Sequence, residues 1–238
     1  MQKGALCYEG KAKKLYTTDD PQLLWVAYKD EATAFNGEKH AILQGKARLN
    51  NEISSMIFTT LAEKGCPSHF VRKLSATEQL VKRVTIIPLE VIVRNKVAGS
   101  LAHRLGLKEG MQLAEPLVEF CYKDDSLGDP LVTEDHIAIL AAASQAEVAR
   151  MKEQALRVNE LLSSLFARLG VILVDFKLEF GKTETGALLL ADEISPDTCR
   201  LWDEKTGARL DKDLFRHELG NLQEGYEEIL ARLSTSSS

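Results

Sequence analysis

Val171-Ile172-Leu173-Val174-Asp175-Phe176-Lys177-Leu178-Glu179-Phe180-Gly181 is the stretch on which the reading of the fold turns. Four apolar residues lead into strict alternation. Side chains on a strand point to opposite faces in turn, so Phe176, Leu178 and Phe180 share one face. Asp175, Lys177 and Glu179 share the other. An apolar lead-in and one wholly apolar face describe a central strand. Three ionisable groups on its second face are costly if buried without partners, so they must bind each other, a metal or a ligand. An edge strand with a solvated charged face fits the same alternation, because half-solvated antiparallel strands are common.

The next segment favours the central strand. Thr183-Glu184-Thr185-Gly186 reads as a turn, and Leu188-Leu189-Leu190-Ala191 as the returning strand, which ends in Asp192-Glu193-Ile194-Ser195-Pro196-Asp197. Counted back through that hairpin, Glu179 lies across from Ala191 or Asp192. Two or three carboxylates then converge with no cation beside them except Lys177. Hard oxygen donors of this kind suit Mg²⁺, which takes one or two carboxylates plus nucleotide phosphates. A charged rim at a strand end is the plainer alternative.

Upstream, Ser144 and Glu147 make a capping box. The helix it opens carries Val148, Met151, Ala155, Val158, Leu162, Leu165 and Leu169 on one face and closes at Gly170. A second helix is expected over 50–64, with Ile53, Met56, Ile57, Thr60 and Leu61 on a shared face, stopped by Gly65 and Pro67. A third is expected from about Asp211, with Leu219, Leu222, Tyr226, Ile229 and Leu233 inward. The tail Ser234–Ser238 reads as disordered. The first 35 residues read as short strands, among them Leu23–Tyr28. Leu80–Val84 and Ile86–Val93 are strand-like, and the turnover near Thr85 marks a hinge. Two lobes follow from it, residues 1–84 and residues 85–238.

Three further segments carry charge in useful places. In Tyr8-Glu9-Gly10-Lys11-Ala12-Lys13, the glycine permits a tight turn. Lys11 and Lys13 fall on one face of the strand that follows, an arrangement that can lay ammonium and backbone N–H groups over phosphates. The GxxxxGK[ST] loop is absent. A buried strand delivers Arg94, and Gly99-Ser100 opens a short helix. Together they can form an anion site. Lys123 precedes the acidic, Gly/Pro-punctuated loop Asp124–Pro130, an ordinary solvent loop by composition. Each of these, taken alone, also reads as a solvated surface feature.

Composition narrows the classes. The chain has 238 residues, 45% hydrophobic, with a formal net charge of −5. That supports a sizeable core and argues against a nucleic-acid binder, which shows a basic excess. No apolar run approaches the roughly 18 residues of a membrane span, and the first residues carry no apolar signal core. Cys7, Cys66, Cys121 and Cys199 lie far apart without CxxC spacing, which fits a reducing cytoplasm better than zinc or disulfides. No Ser/His/Asp pattern is present.

Taken in order, four stretches closely resemble the phosphoribosylaminoimidazole-succinocarboxamide synthase (SAICAR synthetase) family. They are Gly10–Lys13, Ile87–Arg94 through Ser100, Val174–Gly181 and Asp192–Asp203. The second and third match the family's two signature motifs. The resemblance implies an α+β fold related to the ATP-grasp enzymes. An antiparallel β N-terminal lobe and a larger α/β lobe would hold ATP between them. It implies that ATP, L-aspartate and carboxyaminoimidazole ribonucleotide (CAIR) give SAICAR, ADP and phosphate, with Mg²⁺. On this resemblance, Glu179, Asp192 and Glu193 bind the metal. Lys11, Ala12, Lys13 and Lys123 hold ATP phosphates, and Lys82, Val84 and Ile86 hold adenine. Arg94, Ser100 and Arg200 bind the ribonucleotide phosphate. Asp175 and Lys177 are the catalytic pair beside the substrate's ring and reacting carboxylate. Asp129 and Ser195 are polar contributors without assigned roles. Asn36 stands where many relatives carry an acid. A homodimer is expected, with no nucleic-acid or membrane partner. A small-molecule kinase on a related fold, or a nucleotide-binding regulator, are the rival readings.

Overall fold

The computed structural model describes residues 1–34 and 39–236. Asn36 lies outside the described residues. In chain order the strands and helices are β1 (Lys3–Glu9), β2 (Lys13–Thr18), β3 (Leu23–Tyr28), β4 (Glu31–Ala34), β5 (Lys39–Ile42), α1 (Lys46–Glu63), β6 (Phe70–Lys73) and β7 (Glu78–Lys82). Then come β8 (Thr85–Lys96), α2 (Gly99–Leu105), β9 (Gln112–Tyr122), β10 (Leu131–Val132), α3 (Glu134–Ile139) and α4 (Gln145–Arg168). The last are β11 (Val171–Lys182), β12 (Leu188–Ala191), β13 (Cys199–Asp203), α5 (Asp213–Arg216) and α6 (Leu222–Ser236).

Two antiparallel sheets dominate. The first runs β1-β2-β3-β7-β6, and the second runs β10-β9-β8-β11-β12 with β13 also on β11. Residues 83 and 84, between β7 and β8, carry the chain from one sheet to the other. α1 precedes that crossing, yet it places Ile53, Ile57, Phe58 and Leu61 in the core of the second sheet.

β11 is the central strand. One edge pairs with β8 over Asp175–Lys182. The other pairs with β13 over Val171–Phe176 and with β12 over Glu179–Lys182. Its alternation sorts the faces as the sequence predicts. Phe176, Leu178 and Phe180 are buried against α4, whose Met151, Ala155, Val158 and Leu162 are fully buried. Truncating one of those phenylalanines to alanine would cost about 3–5 kcal/mol. β8 alternates likewise: Ile87, Leu89, Val91 and Val93 go to the core, and Glu90, Ile92 and Arg94 to the opposite face. The α4 capping box forms, with the Glu147 amide donating to Ser144 Oγ at 3.3 Å and the Ser144 amide donating to Glu147 Oε2 at 2.8 Å.

Several expectations are corrected. α1 begins at Lys46, after Gly45 in the left-handed region at φ 89°. The long final helix from Asp211 is instead two helices. Glu218 adopts φ 55° and Gly220 φ 158°, which breaks the helical repeat. Asn221 then restarts it, its Oδ1 accepting from the Gln223 amide at 3.0 Å. Leu219 falls in the break and is 57% exposed rather than inward. Ser234, Thr235 and Ser236 are the last turn of α6 rather than part of a disordered tail; Ser237 and Ser238 lie outside the described residues. Lys11 sits in the turn before β2, not on the strand with Lys13.

Candidate active site

A cavity of about 1020 Å³ opens between the two sheets. The charged face of β11 and the even-numbered face of β8 form its floor. The β1–β2 turn and the inner side of β3 cover it. Sequence separation hides this arrangement. Lys11 and Lys13 arrive from one sheet, Arg94 and Lys177 from the other, and all line one space.

At one end the carboxylates gather. The β11–β12 register puts Glu179 opposite Ala191, so Asp192 follows at the strand end, held at φ 58°. On its other side Glu179 faces Glu90 of β8. Like charges directly opposite repel unless cations bridge them. Here they do. Lys177 Nζ donates to Glu179 at 2.6 Å and to Glu90 at 2.9 Å. Lys123 Nζ donates to Glu179 at 2.9 Å. Lys13 pairs with Asp192, and with Glu193 at 2.9 Å. The expectation that Lys177 alone neutralises these acids is therefore corrected: two lysines from distant elements join it. Four carboxylates against three ammoniums still leave one negative charge.

The electrostatics follow from that packing. Burial opposes the charge on Asp192, but Lys13 and Lys177 outweigh it and hold the carboxyl far below its ordinary range. Burial likewise opposes the charge on Lys177, and Glu179, Asp192 and Glu90 overcome it, so its ammonium stays protonated well beyond the usual lysine range. Lys13 behaves in the same way through Asp192 and Glu193. His69, also on the cavity wall, is pushed down to about 4 by burial and then by Lys13, so its ring is neutral at pH 7. Ser195 does not line the cavity. It is buried, and its Oγ donates to Glu193 Oε2 at 2.7 Å, fixing that carboxylate toward Lys13.

Whether this end suits Mg²⁺ is answered by its donors. Among the described residues, no group of three or more His, Cys, Asp or Glu side chains is set to hold a metal ion by itself. Mg²⁺ does not require one: one or two carboxylates suffice when phosphate oxygens and water complete the octahedron. Glu179, Asp192 and Glu193 are all hard oxygen donors with a net negative charge around them, and they fit the ion.

The opposite end is a chain of alternating charges. Arg94, 2% exposed, donates from Nε to Glu119 at 2.7 Å, from Nη1 to Asp175 at 2.7 Å and from Nη2 to Ser100 Oγ at 3.0 Å. Arg200 donates from Nη1 to Asp175 at 2.9 Å and from Nε to Asp213 at 2.8 Å. Arg104 closes on Glu119 at 2.6 Å and Arg216 on Asp213 at 2.8 Å. Four arginines against three acids leave one positive charge. Gly99, at φ 52°, permits the approach: a Cβ there would stand 2.3 Å from Arg200 Nη2. Asp175, expected beside the substrate ring, is 3% exposed and gripped by two guanidinium groups. It ties Arg94 to Arg200.

Between sheets, Val84 and Ile86 border an apolar wall made by Leu15, Leu24, Val26 and Val81, with Lys82 beside them. Gly181 allows the crossing to press on β11, since a Cβ would meet Val84 Cγ2 at 2.5 Å. Ala12 lies in the β1–β2 turn, where Lys11 reaches Asp125 of the acidic loop at 2.7 Å. Asp129 also lines the cavity, its Oδ1 accepting from the Asp124 amide at 2.9 Å.

Several lining residues escaped the sequence reading: Glu90, His69, Asp197, Lys212 and Arg216. Glu90 carried a signal, two residues before Ile92 and four before Arg94 on the same strand face. Lys212 and Arg216 carried one too, spaced one helical turn apart. His69 and Asp197 carried none that spacing reveals.

The sequence profile of the SAICAR synthetase family matches residues 6–233. The phosphoribosylaminoimidazole-succinocarboxamide synthase of Shouchella clausii is 69% identical over 233 residues, 98% of each chain. The crystal structure of the enzyme of that name from Ehrlichia chaffeensis superposes with a TM-score of 0.94 at 48% identity, covering 97% of this chain and 98% of that one. A SAICAR synthetase in complex with ADP superposes with a TM-score of 0.93 at 49% identity, covering 96% of this chain and 97% of that one.

Proposed function

The chain belongs to the SAICAR synthetase family, ATP-dependent ligases of purine biosynthesis that join CAIR to L-aspartate, and on that premise we propose how its own residues divide the reaction. The observation that carries the proposal is the polarity of one cavity. A net-negative carboxylate group stands at one end and a net-positive arginine chain at the other, both built on β8 and β11.

A carboxylate is a poor electrophile toward an amine, because it lacks a leaving group. Transfer of the γ-phosphoryl group of ATP to the CAIR carboxylate supplies one as an acyl phosphate. The aspartate amine then forms the amide bond and phosphate departs. The protein's task is to position reactants and neutralise charge. The apolar wall at Val84 and Ile86 would take adenine, with Lys82 beside it. Lys11, the Ala12 backbone, Lys13 and Lys123 would hold the phosphates. Glu179 and Asp192, with Glu193 as a third donor, would hold Mg²⁺. The ion, when bound, supplies charge neutralisation for the transferring phosphoryl group.

Arg94, Ser100 and Arg200 would grip the ribonucleotide phosphate, held in register by Asp175. Lys177 would face the reacting carboxylate. Its ammonium is stabilised far above neutral pH, which supports a role in neutralising charge rather than in taking a proton. Asp129 would close the phosphate end.

The same reading takes in the two-lobe division at residues 84 and 85, the kinship with ATP-grasp enzymes and a cytoplasmic setting that suits four free cysteines. It also takes in a homodimer, supported by the exposed Leu131, Ile139 and Leu140 around β10 and α3. No helix among the described residues is long and apolar enough to cross a membrane. The test is ADP release by purified protein. It should require ATP, Mg²⁺, CAIR and L-aspartate together. Release without aspartate would point to a kinase instead, and no release with all four would end the assignment.

A further inference from the structure

Two side chains outside the cavity grip one that lines it. Asp197 lies in the loop that leaves β12 and lines the cavity. Its Oδ2 accepts from Lys46 Nζ at 2.5 Å and its Oδ1 from the Tyr226 hydroxyl at 2.5 Å. Lys46 opens α1 and is 1% exposed, and Tyr226 lies in α6 and is fully buried. Neither lines the cavity. Burial opposes the charge on Asp197, and Lys212 and Lys46 outweigh it, so the carboxylate stays ionised. Burial, then Asp197, push the Tyr226 phenol up, so its hydroxyl remains a donor. Packing alone asks for neither polar group. The Tyr226 ring sits with Leu49, Leu214 and Leu222, where a phenylalanine would fill the same space. A buried ammonium is costly unless it is paired.

The grip is passed along the loop. The Asp197 amide donates to Ser195 Oγ at 3.1 Å, and Ser195 Oγ donates to Glu193 Oε2 at 2.7 Å. The other oxygen of Glu193 lies 2.9 Å from Lys13. Eight residues along α1 from Lys46, on the same helix face, Ser54 Oγ accepts from the Ile194 amide at 3.3 Å. α1 therefore holds the loop at two points and α6 holds it at a third. The residues so held follow directly on Asp192 and Glu193, from a helix near the start of the chain and a helix at its end.

We infer that Lys46 and Tyr226 are positioning residues for the carboxylate end of the cavity: through Asp197 they fix the loop that presents Asp192 and Glu193. The inference rests on the reading of those carboxylates as Mg²⁺ donors. Tyr226→Phe tests it, because it removes one hydroxyl and leaves the ring in its apolar cluster. Calorimetry measures ADP binding in MgCl₂ and in EDTA, at a temperature where thermal melts show the protein folded. Groups that hold metal-binding side chains in place are worth about ten- to a hundredfold in metal affinity. With one of the two Asp197 bonds lost, the Kd for ADP in MgCl₂ should rise about tenfold, near the lower end of that range. In EDTA it should stay within about twofold, because the ion no longer contributes. Lys46→Gln, whose amide keeps a neutral N–H donor, should act in the same direction and covers the case in which Tyr226→Phe fails to fold. Tyr226→Phe combined with Asp197→Asn should lose no more affinity than Asp197→Asn alone, since the hydroxyl acts through that carboxylate. A lowered Tm with unchanged ADP affinity in MgCl₂ would reduce both residues to packing and overturn the inference, as would additive losses in the double variant. Wild-type protein whose ADP affinity ignores Mg²⁺ would sink the metal reading itself, a result visible before any variant is made.

Discussion

Replacing Glu179 by glutamine separates a metal site from a structural ion cluster, because the two roles predict different sizes of effect. In the folded chain Glu179 accepts from Lys177 at 2.6 Å and from Lys123 at 2.9 Å. The amide oxygen of the substituted side chain can still accept one of these bonds. Lys177 retains Glu90 at 2.9 Å and Asp192 at 3.6 Å. Lys123 is 40% exposed and regains water. No uncompensated buried charge is left, so the loss of stability should be about 1 kcal/mol, close to one net hydrogen bond. For a chain of this size that is a fall of about 2–4 °C in Tm.

Function should suffer more. The carboxylate end carries one net negative charge and would fall to zero. A unit pair about 4 Å apart at an effective dielectric of about 20 is worth about 4 kcal/mol. Allowing for relaxation to about 3 kcal/mol, kcat/KM should fall on the order of a hundred- to a thousandfold. The assay is ADP release against a titration of MgCl₂, paired with thermal melts with and without Mg-ADP. Wild type at about a hundred times Kd gains about 2.7 kcal/mol from the ligand, and the variant should gain far less. An equal Mg-ADP shift in both proteins would refute the reasoning, and so would an activity loss no larger than the loss of folded protein.

Asp175→Asn should be the reverse case: removing a buried acid shared by Arg94 and Arg200 should cost about 3–5 kcal/mol of stability by thermal melt and raise the CAIR KM more than the ATP KM. Gly181→Ala should force Val84 away from β11, since the new Cβ would lie 2.5 Å from Val84 Cγ2; it should destabilise by about 1–3 kcal/mol and weaken ADP binding measured by calorimetry. A pH effect is expected from Asp211. Burial, with Asp213 nearby, pushes its carboxyl up to about 7, against about 3.9 in an unfolded chain. The folded chain then keeps a proton that the unfolded chain has released, so this group makes stability fall as pH rises from about 4 to about 7 and adds no further slope above. Melts between about pH 5 and pH 8 check the sign, and a Tm that rises through that range in wild type but not in Asp211→Asn would count against it.

How much of this could be seen in the residues alone depended on distance along the chain. Within β11 alternation sufficed: Phe176, Leu178 and Phe180 went inward and Asp175, Lys177 and Glu179 outward, because the strand period is a local property. The Glu179–Ala191 register was also open to counting, since one hairpin fixes it. The lysines were not. Lys13 reaches Asp192 across 179 residues and Lys123 reaches Glu179 across 56, and no periodicity encodes which loop closes over which strand. The α5–α6 break was missed for another reason: the apolar spacing from Leu219 to Leu233 continues a helical repeat, while the backbone at Glu218 and Gly220 leaves the helical region.

The resemblance placed residues without giving them partners, and partners decide roles. Asp175 illustrates the difference. Sequence position made it a neighbour of the reacting groups, and it does line the cavity. Both of its oxygens are nevertheless occupied, Oδ2 by Arg94 and Arg200 and Oδ1 by Arg200 at 3.1 Å. A carboxylate so engaged fixes the spacing of two arginines. Glu179 differs at the same strand's other end. Its partners are Lys177 and Lys123, point charges on flexible stems. The strand that opened as three charges on one face thus carries two kinds of acid. One is locked by the rigid forks of Arg94 and Arg200, and the other is held by the flexible stems of Lys177 and Lys123.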